Sequence, residues 1–174
     1  IARPYGMILC VGPTGSGKTT TLHAILGHLN QPGVKIWTAE DPVEITQPGL
    51  RQVQVRSKIG LDFARVMRGL LRLDPDIIMI GEMRDRETAA IGLEAALTGH
   101  LVLSTLHTNN APETLTRLLE MGMNALNISD AFLGVLGQRL VRRLCNNCIE
   151  SYHPGEEEFE DLRTDYGREA FDQA

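Results

Sequence analysis

Cysteines, lysines and long apolar runs are all scarce in this sequence of 174 residues. Its three cysteines, Cys10, Cys145 and Cys148, are too few for the disulfide framework of a small secreted domain, so a reducing cytosol is the expected compartment. No apolar run reaches the roughly 20 residues that a membrane-spanning helix needs. Three of the 17 basic residues are lysines, and no basic patch typical of nucleic-acid binding is present. The composition therefore predicts neither a membrane span nor a nucleic-acid partner.

A starting methionine and a basic leader are also missing, because the sequence opens on Ile1-Ala2-Arg3-Pro4. We therefore expect the chain to be part of a longer protein. Most of the formal net charge of -5 comes from one acidic run at residues 156–161. The remainder is nearly neutral and has enough apolar residues for the core of one domain.

Short apolar runs alternate with helical patterns along most of the sequence. Strands are predicted at residues 7–11, 34–39, 52–55, 77–80 and 101–104, the third of them as part of a hairpin. Helices are predicted at residues 19–29, 63–71, 86–97, 112–121 and 125–136. After Cys145 the periodicity fades, which predicts a loop or a mobile end. The alternation predicts an α/β fold, with a mostly parallel sheet flanked by helices and a helical carboxyl-terminal part.

The strongest functional motif is a glycine-rich loop between the first predicted strand and the first predicted helix. It has the pattern G-x-x-x-x-G-K-T, followed by Thr20, and its residues are Gly12, Pro13, Thr14, Gly15, Ser16, Gly17, Lys18 and Thr19. Glycines let successive backbone amides turn towards a phosphate chain, and the helix N-terminus adds partial positive charge. In such loops the lysine reaches the β- and γ-phosphates, and the final hydroxyl binds Mg²⁺. The motif therefore predicts ATP binding and hydrolysis.

Acidic residues follow two of the predicted strands, where a parallel sheet presents its ligand-binding edge. Glu82 follows the strand at residues 77–80 and is a candidate to orient the water shell of Mg²⁺ or to polarise the attacking water. The alternative is a surface glutamate at a strand end. Glu40, Asp41 and Glu44 follow another strand, and Glu40, the nearest to it, is the candidate general base. Without the glycine-rich loop, such an acidic segment would be typical of a solvated turn.

Histidines and arginines supply further candidates. His107 follows a predicted strand at its carboxyl end and can sense a γ-phosphate, whereas His100 precedes that strand; a single histidine is usually only a packing or surface residue. Arg65, Arg68 and Arg72 recur at helical spacing opposite an apolar stripe. They indicate either a solvated face or arginine fingers that act on a neighbouring subunit's nucleotide.

Together these segments resemble the motor ATPases of type II secretion and type IV pilus assembly. Four motifs carry the resemblance in order: GPTGSGKTTTL, TAEDPVE, LRLDPDIIMIGEMRDRETA and TGHLVLSTLHTN. The resemblance runs from Arg3 to Cys148 and implies a homohexameric ring of RecA-like domains. It also implies a cytoplasmic motor that is held at the inner membrane by its partners. Such a motor hydrolyses ATP to pull on an inner-membrane platform protein while pilins or pseudopilins are added to a filament.

The resemblance also assigns roles to the acidic and loop residues. Lys18 and Thr19 would bind nucleotide and Mg²⁺. Glu40 would be a catalytic carboxylate of the second motif. Glu82 would be the catalytic glutamate of the third motif and would reach Mg²⁺ partly through water.

The histidines and arginines receive roles in the same way. His100 and His107 would form the histidine pair of the fourth motif, with His107 at the catalytic centre and His100 near the nucleotide. Arg68 and Arg72 match arginines that lie near the nucleotide or the neighbouring subunit in such motors.

Cys145 and Cys148 resemble the first half of a tetracysteine Zn²⁺ site found in the assembly and secretion branch. The second cysteine pair is absent, and two thiolates cannot complete a tetrahedral site, although His153 offers a third ligand. We therefore expect an ATPase core at residues 1–144 and a truncated, partly formed metal-binding subregion with an acidic tail at residues 145–174.

Three other functions stay open at this stage. A pilus retraction motor is one, although the cysteine pair and the segment LGVLGQRLVRRLC argue against it. A non-hydrolysing, nucleotide-dependent regulator is the second. The third is a DNA translocase with a RecA-like core, against which the lack of a basic patch argues. The sequence does not separate secretion from pilus systems, because the motor core is common to both.

Overall fold

The structure is a computed structural model that describes residues 4–167. Its strands, numbered in chain order, are β1 (Gly6–Val11), β2 (Ile36–Glu40), β3 (Arg51–Gln54), β4 (Ile77–Ile80), β5 (Leu101–Leu106) and β6 (Phe132–Gly137). Its α-helices are α1 (Lys18–Leu29), α2 (Phe63–Leu70), α3 (Arg86–Leu97), α4 (Ala111–Glu120), α5 (Ala125–Ala131) and α6 (Glu156–Tyr166). Short 3-10 helices occupy Ser57–Ile59 and Leu71–Leu73. The chain divides after Leu140 into two compact units, the first holding the sheet and the second holding α6.

The six strands form one sheet in the order β3-β2-β4-β5-β1-β6, and every neighbouring pair is parallel. All residues of β4 and β5 are buried, as is usual for the central strands of a parallel sheet covered on both faces. Because the strands are parallel, the loops that follow them leave from the same edge. Since β5 lies between β1 and β4, the loops after these three strands are neighbours.

Alternating side chains of the sheet pack on its two faces. In β4, Ile77 and Met79 join the cluster that includes Leu22 and Leu26 of α1, whereas Ile78 and Ile80 join the larger cluster on the opposite face. Leu26 is completely buried, and a fully buried leucine contributes about 1.5–3 kcal/mol. This packing fixes α1, and with it the glycine-rich loop, against the sheet.

Most predicted elements lie where the sequence patterns put them, but the predicted hairpin is wrong. β3 pairs with β2 in parallel, with Trp37 opposite Arg51 and Glu40 opposite Gln54. The connection between these strands is residues 41–50, which is too long for a tight hairpin turn and carries the chain back to the start of β2.

The predicted helix at residues 125–136 is wrong in its second half. The helix ends at Ala131, and β6 follows as an edge strand that pairs with β1. Two glycines, Gly134 and Gly137, together with Val135 between them, favour an extended chain over a helix. Pairing also satisfies the outer edge of β1, which would otherwise leave its amides unbonded.

The segment predicted as a loop after Cys145 contains a helix. Three glutamates occupy the first turn of α6, where negative charge is stabilised by the helix dipole. None of its residues is buried, so the apolar periodicity that reveals most helices is missing. Over residues 4–167, none of the helices is both long and apolar enough to cross a lipid bilayer.

Candidate active site

A cleft of about 600 Å³ opens where the carboxyl ends of the central strands meet. The glycine-rich loop after β1 forms one wall of this cleft. Glu40 and the residues after it line it from β2, Glu82 from β4 and His107 from β5. The strand order thus brings the main predicted site residues together in one place.

The glycine-rich loop has a backbone that only glycine accommodates at its first position. Gly12 has a φ of +142°, and a Cβ atom there would lie 2.1 Å from the carbonyl oxygen of Gln138. The Nζ of Lys18 donates to the carbonyl oxygens of Gly12, at 3.0 Å, and of Pro13, at 3.1 Å, so the ammonium group spans the mouth of the loop. The amides at the start of α1 have no side-chain cap, which leaves them available to an anion.

One buried hydroxyl in this loop also fits a polar ligand. Ser16 is 3% exposed, and its Oγ has no hydrogen-bond partner anywhere in residues 4–167. Such orphaned groups are rare in folded proteins and call for a missing partner. The positive lysine, the uncapped amides and this hydroxyl together suit the phosphates of a nucleotide.

Glu82, just after the end of β4, lies between the side chains of Arg84 and His107. One of its oxygens pairs with the guanidinium of Arg84, and the other lies 2.5 Å from Nε2 of His107. Burial alone would raise the pKa of the Glu82 carboxyl, but the hydrogen bonds from Arg84 and His107 outweigh it and hold that pKa below its ordinary value. Glu82 is therefore ionised at neutral pH.

Glu40 is buried at the end of β2 and receives three hydrogen bonds. Its Oε1 accepts from Thr38 Oγ1 at 2.5 Å and from Gln52 Nε2 at 3.0 Å. Its Oε2 lies 3.0 Å from Nε2 of His23, which is on α1 one turn beyond Thr19. The Nδ1 of His23 is buried and lacks a partner within the described part of the chain, so Nε2 carries the proton and donates to Glu40. These bonds fix the carboxylate on the floor of the cleft.

Outside the glycine-rich loop, three residues that were predicted to lie near the nucleotide do not line the cleft. Arg68 is half exposed on α2 and pairs with Glu87, and Arg72 is exposed in the 3-10 helix that follows. His100 precedes β5, about 20 Å along the strand from its carboxyl end, and its Nδ1 lies 3.0 Å from the carbonyl oxygen of Ala95 at the end of α3. Their predicted roles toward the nucleotide stay predictions.

The predicted zinc ligands Cys145 and Cys148 are exposed, reduced and close to each other in a turn. A hydrogen bond from the backbone of Asn147, followed by bonds from the side chain and backbone of Cys148, lowers the pKa of the Cys145 thiol. Within residues 4–167, no group of three or more His, Cys, Asp or Glu residues is arranged to hold a metal ion. A structural zinc site would need further ligands.

Sequence patterns did not single out three residues that the structure places at the site. Arg84 lies within the motif that contains Glu82, and its charge so close to a predicted catalytic carboxylate was an available signal. His23 lies at helical spacing from Lys18 and Thr19, but only the fold brings it to Glu40. Gln138 contacts the glycine-rich loop from the end of β6, a strand that local patterns missed.

Comparisons with known proteins bear on the family and the fold of this chain. Residues 1–172 match the family of type II/IV secretion system proteins. The sequence is 60% identical over 148 residues, 85% of this chain, to the type IV pilus assembly ATPase PilB of Myxococcus xanthus. It is 54% identical over 158 residues, 91% of this chain, to the type II secretion system protein E of Pseudomonas aeruginosa. The chain spans 26% and 32% of the lengths of these two relatives.

A solved structure with the same arrangement is that of the pilus retraction motor PilT with bound ADP. The two chains superpose with a TM-score of 0.65 and 39% sequence identity, covering 76% of this chain and 42% of that one. The likeness confirms the predicted fold class, a RecA-like P-loop domain with a mostly parallel sheet.

Proposed function

The chain belongs to the family of type II/IV secretion system proteins, and from this premise we propose that it is the ATP-hydrolysing core of a motor. The motor would drive pilus or pseudopilus assembly in a type IV pilus or type II secretion system. The assembly and secretion relatives are 60% and 54% identical to this chain, whereas the retraction motor is 39% identical. This difference favours assembly and secretion over retraction.

One observation carries the proposal: Lys18, in the loop after β1, and an ionised Glu82, after β4, face one cleft from either side of β5. A lysine on a phosphate loop neutralises the β- and γ-phosphates, and an ionised carboxylate opposite it can orient and polarise a water molecule. A nucleotide-binding module without hydrolysis would need the first group but not the second. The pair therefore supports an ATPase over a passive nucleotide-dependent regulator.

The residues of the cleft would have different roles in hydrolysis. Lys18 and the amides of the loop would hold the phosphates, and His107, bonded to Glu82, would lie near the γ-phosphate. Glu82 and the buried Glu40 would act on the attacking water, and both carboxylates are held in place by hydrogen bonds. Thr19 and Glu82, the latter through water, are the residues that would hold Mg²⁺, which supplies positive charge at the phosphates when bound.

The proposal also includes a ring of identical subunits, which a platform protein would hold at the inner membrane. Two exposed arginines support it, because Arg68 on α2 and Arg72 in the 3-10 helix after it lie away from the cleft of their own chain. In a ring such side chains can act on the nucleotide of a neighbouring subunit. Turnover would then rise with protein concentration as the ring assembles.

Replacing Glu82 tests the enzymatic part of the proposal. In the full-length protein, Glu82→Gln should lower ATP turnover by about 10²-fold or more, because a positioned carboxylate supplies a factor of this size. The affinity for ATP should stay within a fewfold of the wild type, as measured by calorimetry. The matched control is Glu94→Gln, an exposed glutamate on α3 outside the cleft, which should leave turnover unchanged.

Two results would contradict the proposal. Unchanged turnover in Glu82→Gln would remove Glu82 from catalysis. Wild-type protein that binds ATP tightly but does not hydrolyse it, at any protein concentration, would favour the regulator instead.

A further inference from the structure

Gln138 follows β6 and contacts the glycine-rich loop with both its side chain and its backbone. Its Nε2 donates to the carbonyl oxygen of Ser16 at 2.5 Å, and its Oε1 accepts from the Oγ1 of Thr21 at 2.7 Å. Its backbone N–H donates to the carbonyl oxygen of Val11 at 2.8 Å. One residue thus joins the last strand to both ends of the loop and to the first turn of α1.

The side-chain amide of Gln138 has only one orientation that satisfies both partners. The carbonyl oxygen of Ser16 can only accept, so it must face the NH₂ group. The hydroxyl of Thr21 then donates to the amide oxygen, which the thiol of Cys10 also approaches at 3.7 Å. The carbonyl of Ser16 therefore sets which way the amide points, and the hydroxyl of Thr21 holds the amide in place, so that the amide in turn restrains the carbonyl of Ser16.

The direction of this carbonyl fixes the direction of the next amide. In a trans peptide the C=O and the following N–H lie in one plane and point in opposite directions. When Gln138 draws the oxygen of Ser16 outward, the N–H of Gly17 is turned the other way. Gly17 lines the cleft, so its N–H is presented to the position of the phosphates.

We propose that Gln138 is a positioning residue for nucleotide binding, which fixes the Ser16–Gly17 peptide with its N–H towards the phosphates. The proposal rests on the proposed function, because it concerns the same nucleotide. Thr21 acts through Gln138 and not on the nucleotide itself.

The test compares nucleotide binding and turnover in single and double variants of the full-length protein. Gln138→Ala should weaken ADP binding by about tenfold, the value of one or two lost hydrogen bonds. The KM for ATP should rise by a similar factor, and kcat should fall by less than KM rises, since Glu40 and Glu82 keep their bonds. Thr21→Val, which keeps the shape of the side chain, should shift ADP affinity in the same direction but less.

Two further variants separate a positioning role from general loosening of the fold. The double variant Gln138→Ala with Thr21→Val should bind ADP no more weakly than Gln138→Ala alone, because Thr21 acts only through Gln138. Thr21→Ser retains the hydroxyl and should bind ADP with the affinity of the wild type. The control Gln31→Ala removes an exposed glutamine at the far end of α1 and should change neither binding nor turnover.

The outcomes distinguish this inference from the function on which it rests. If the wild type binds ADP, and Gln138→Ala and Thr21→Val bind it within twofold of the wild type, the positioning role is wrong and the proposed function stands. Fully additive losses in the double variant would also overturn the role. If the wild type binds no ADP, the proposed function fails and the inference fails with it.

Discussion

Replacing Glu40 by glutamine tests how strongly its buried carboxylate is held. Glu40 is 2% exposed and accepts hydrogen bonds from Thr38, Gln52 and His23. Glu40→Gln keeps the size of the side chain but turns one acceptor oxygen into an NH₂ donor. At least one of the three donors must then face another donor.

The expected cost follows from the arrangement of those donors. If the new amide oxygen faces Thr38 and Gln52, the NH₂ group faces His23, whose proton must move to Nδ1. That nitrogen is buried without an acceptor in the part of the chain that the structure describes, and an unsatisfied buried N–H costs about 1–3 kcal/mol. In the opposite orientation the new NH₂ group faces the NH₂ of Gln52, while the hydroxyl of Thr38 can turn to accept, so one buried donor is again unsatisfied. The free energy of unfolding should therefore fall by about 1–3 kcal/mol, which lowers Tm by about 2–4 °C per kcal/mol in a domain of this size.

Urea unfolding at pH 7.5 measures this loss, and the protein's single tryptophan makes the assay local. Trp37 is on β2, three residues before Glu40, so its fluorescence reports the strand in question. The matched control is Glu44→Gln, the same chemical change at an exposed position of the same cleft, which should cost at most about 0.5 kcal/mol. Equal stability of Glu40→Gln and the wild type would refute the assigned hydrogen bonds. An equal loss in both variants would point to the charge of the cleft instead.

Two further predictions concern the loop and the carboxylate on β4. Gly12→Ala should abolish nucleotide binding and lower the free energy of unfolding by about 2 kcal/mol or more, because a Cβ atom at Gly12 meets Gln138 at 2.1 Å in a backbone conformation that L-residues avoid. Gly134→Ala, where a Cβ atom meets open space, should be tolerated, and equal tolerance at both positions in urea unfolding would contradict the geometry. The lowered pKa of Glu82 stabilises the fold fully above the ordinary value of 4.5, and this contribution is lost as pH falls through the lower folded pKa. The wild type should therefore lose its stability advantage over Glu82→Gln between neutral pH and pH values below 4.5, and a constant difference in urea unfolding across that range would argue against the lowered pKa.

Local sequence patterns were sufficient for the parts of the site that lie next to one another in the chain. The glycine-rich loop connects an apolar strand to an amphipathic helix, and the spacing of Gly12 and Lys18 alone defines it. Glu82 follows a strand whose four residues are all apolar and buried, so its position at the sheet edge was predictable. These signals depend on residues within about ten positions of each other.

The remaining features depend on contacts between distant parts of the chain. β6 was predicted as helix because its apolar residues suit either element, and only the open edge of β1 selects the strand. Gln138 reaches Ser16 across 122 residues, and His23 reaches Glu40 across 17. No local periodicity encodes such contacts. The same limit applies to α6, whose lack of any buried face left no pattern to detect.

The position of β5 has a consequence for the charges on either side of it. Neighbouring strands are about 4.8 Å apart, so the ends of β1 and β4 are separated by about 10 Å. Within the described residues Lys18 and Glu82 form no salt bridge: Lys18 donates to carbonyl oxygens of its own loop, and Glu82 bonds to Arg84 and His107. With β5 between their strands, the two opposite charges line the same cleft and each has its own partners. A phosphoryl group and a water molecule can occupy the space between them, where the electric field of both charges acts in the same direction.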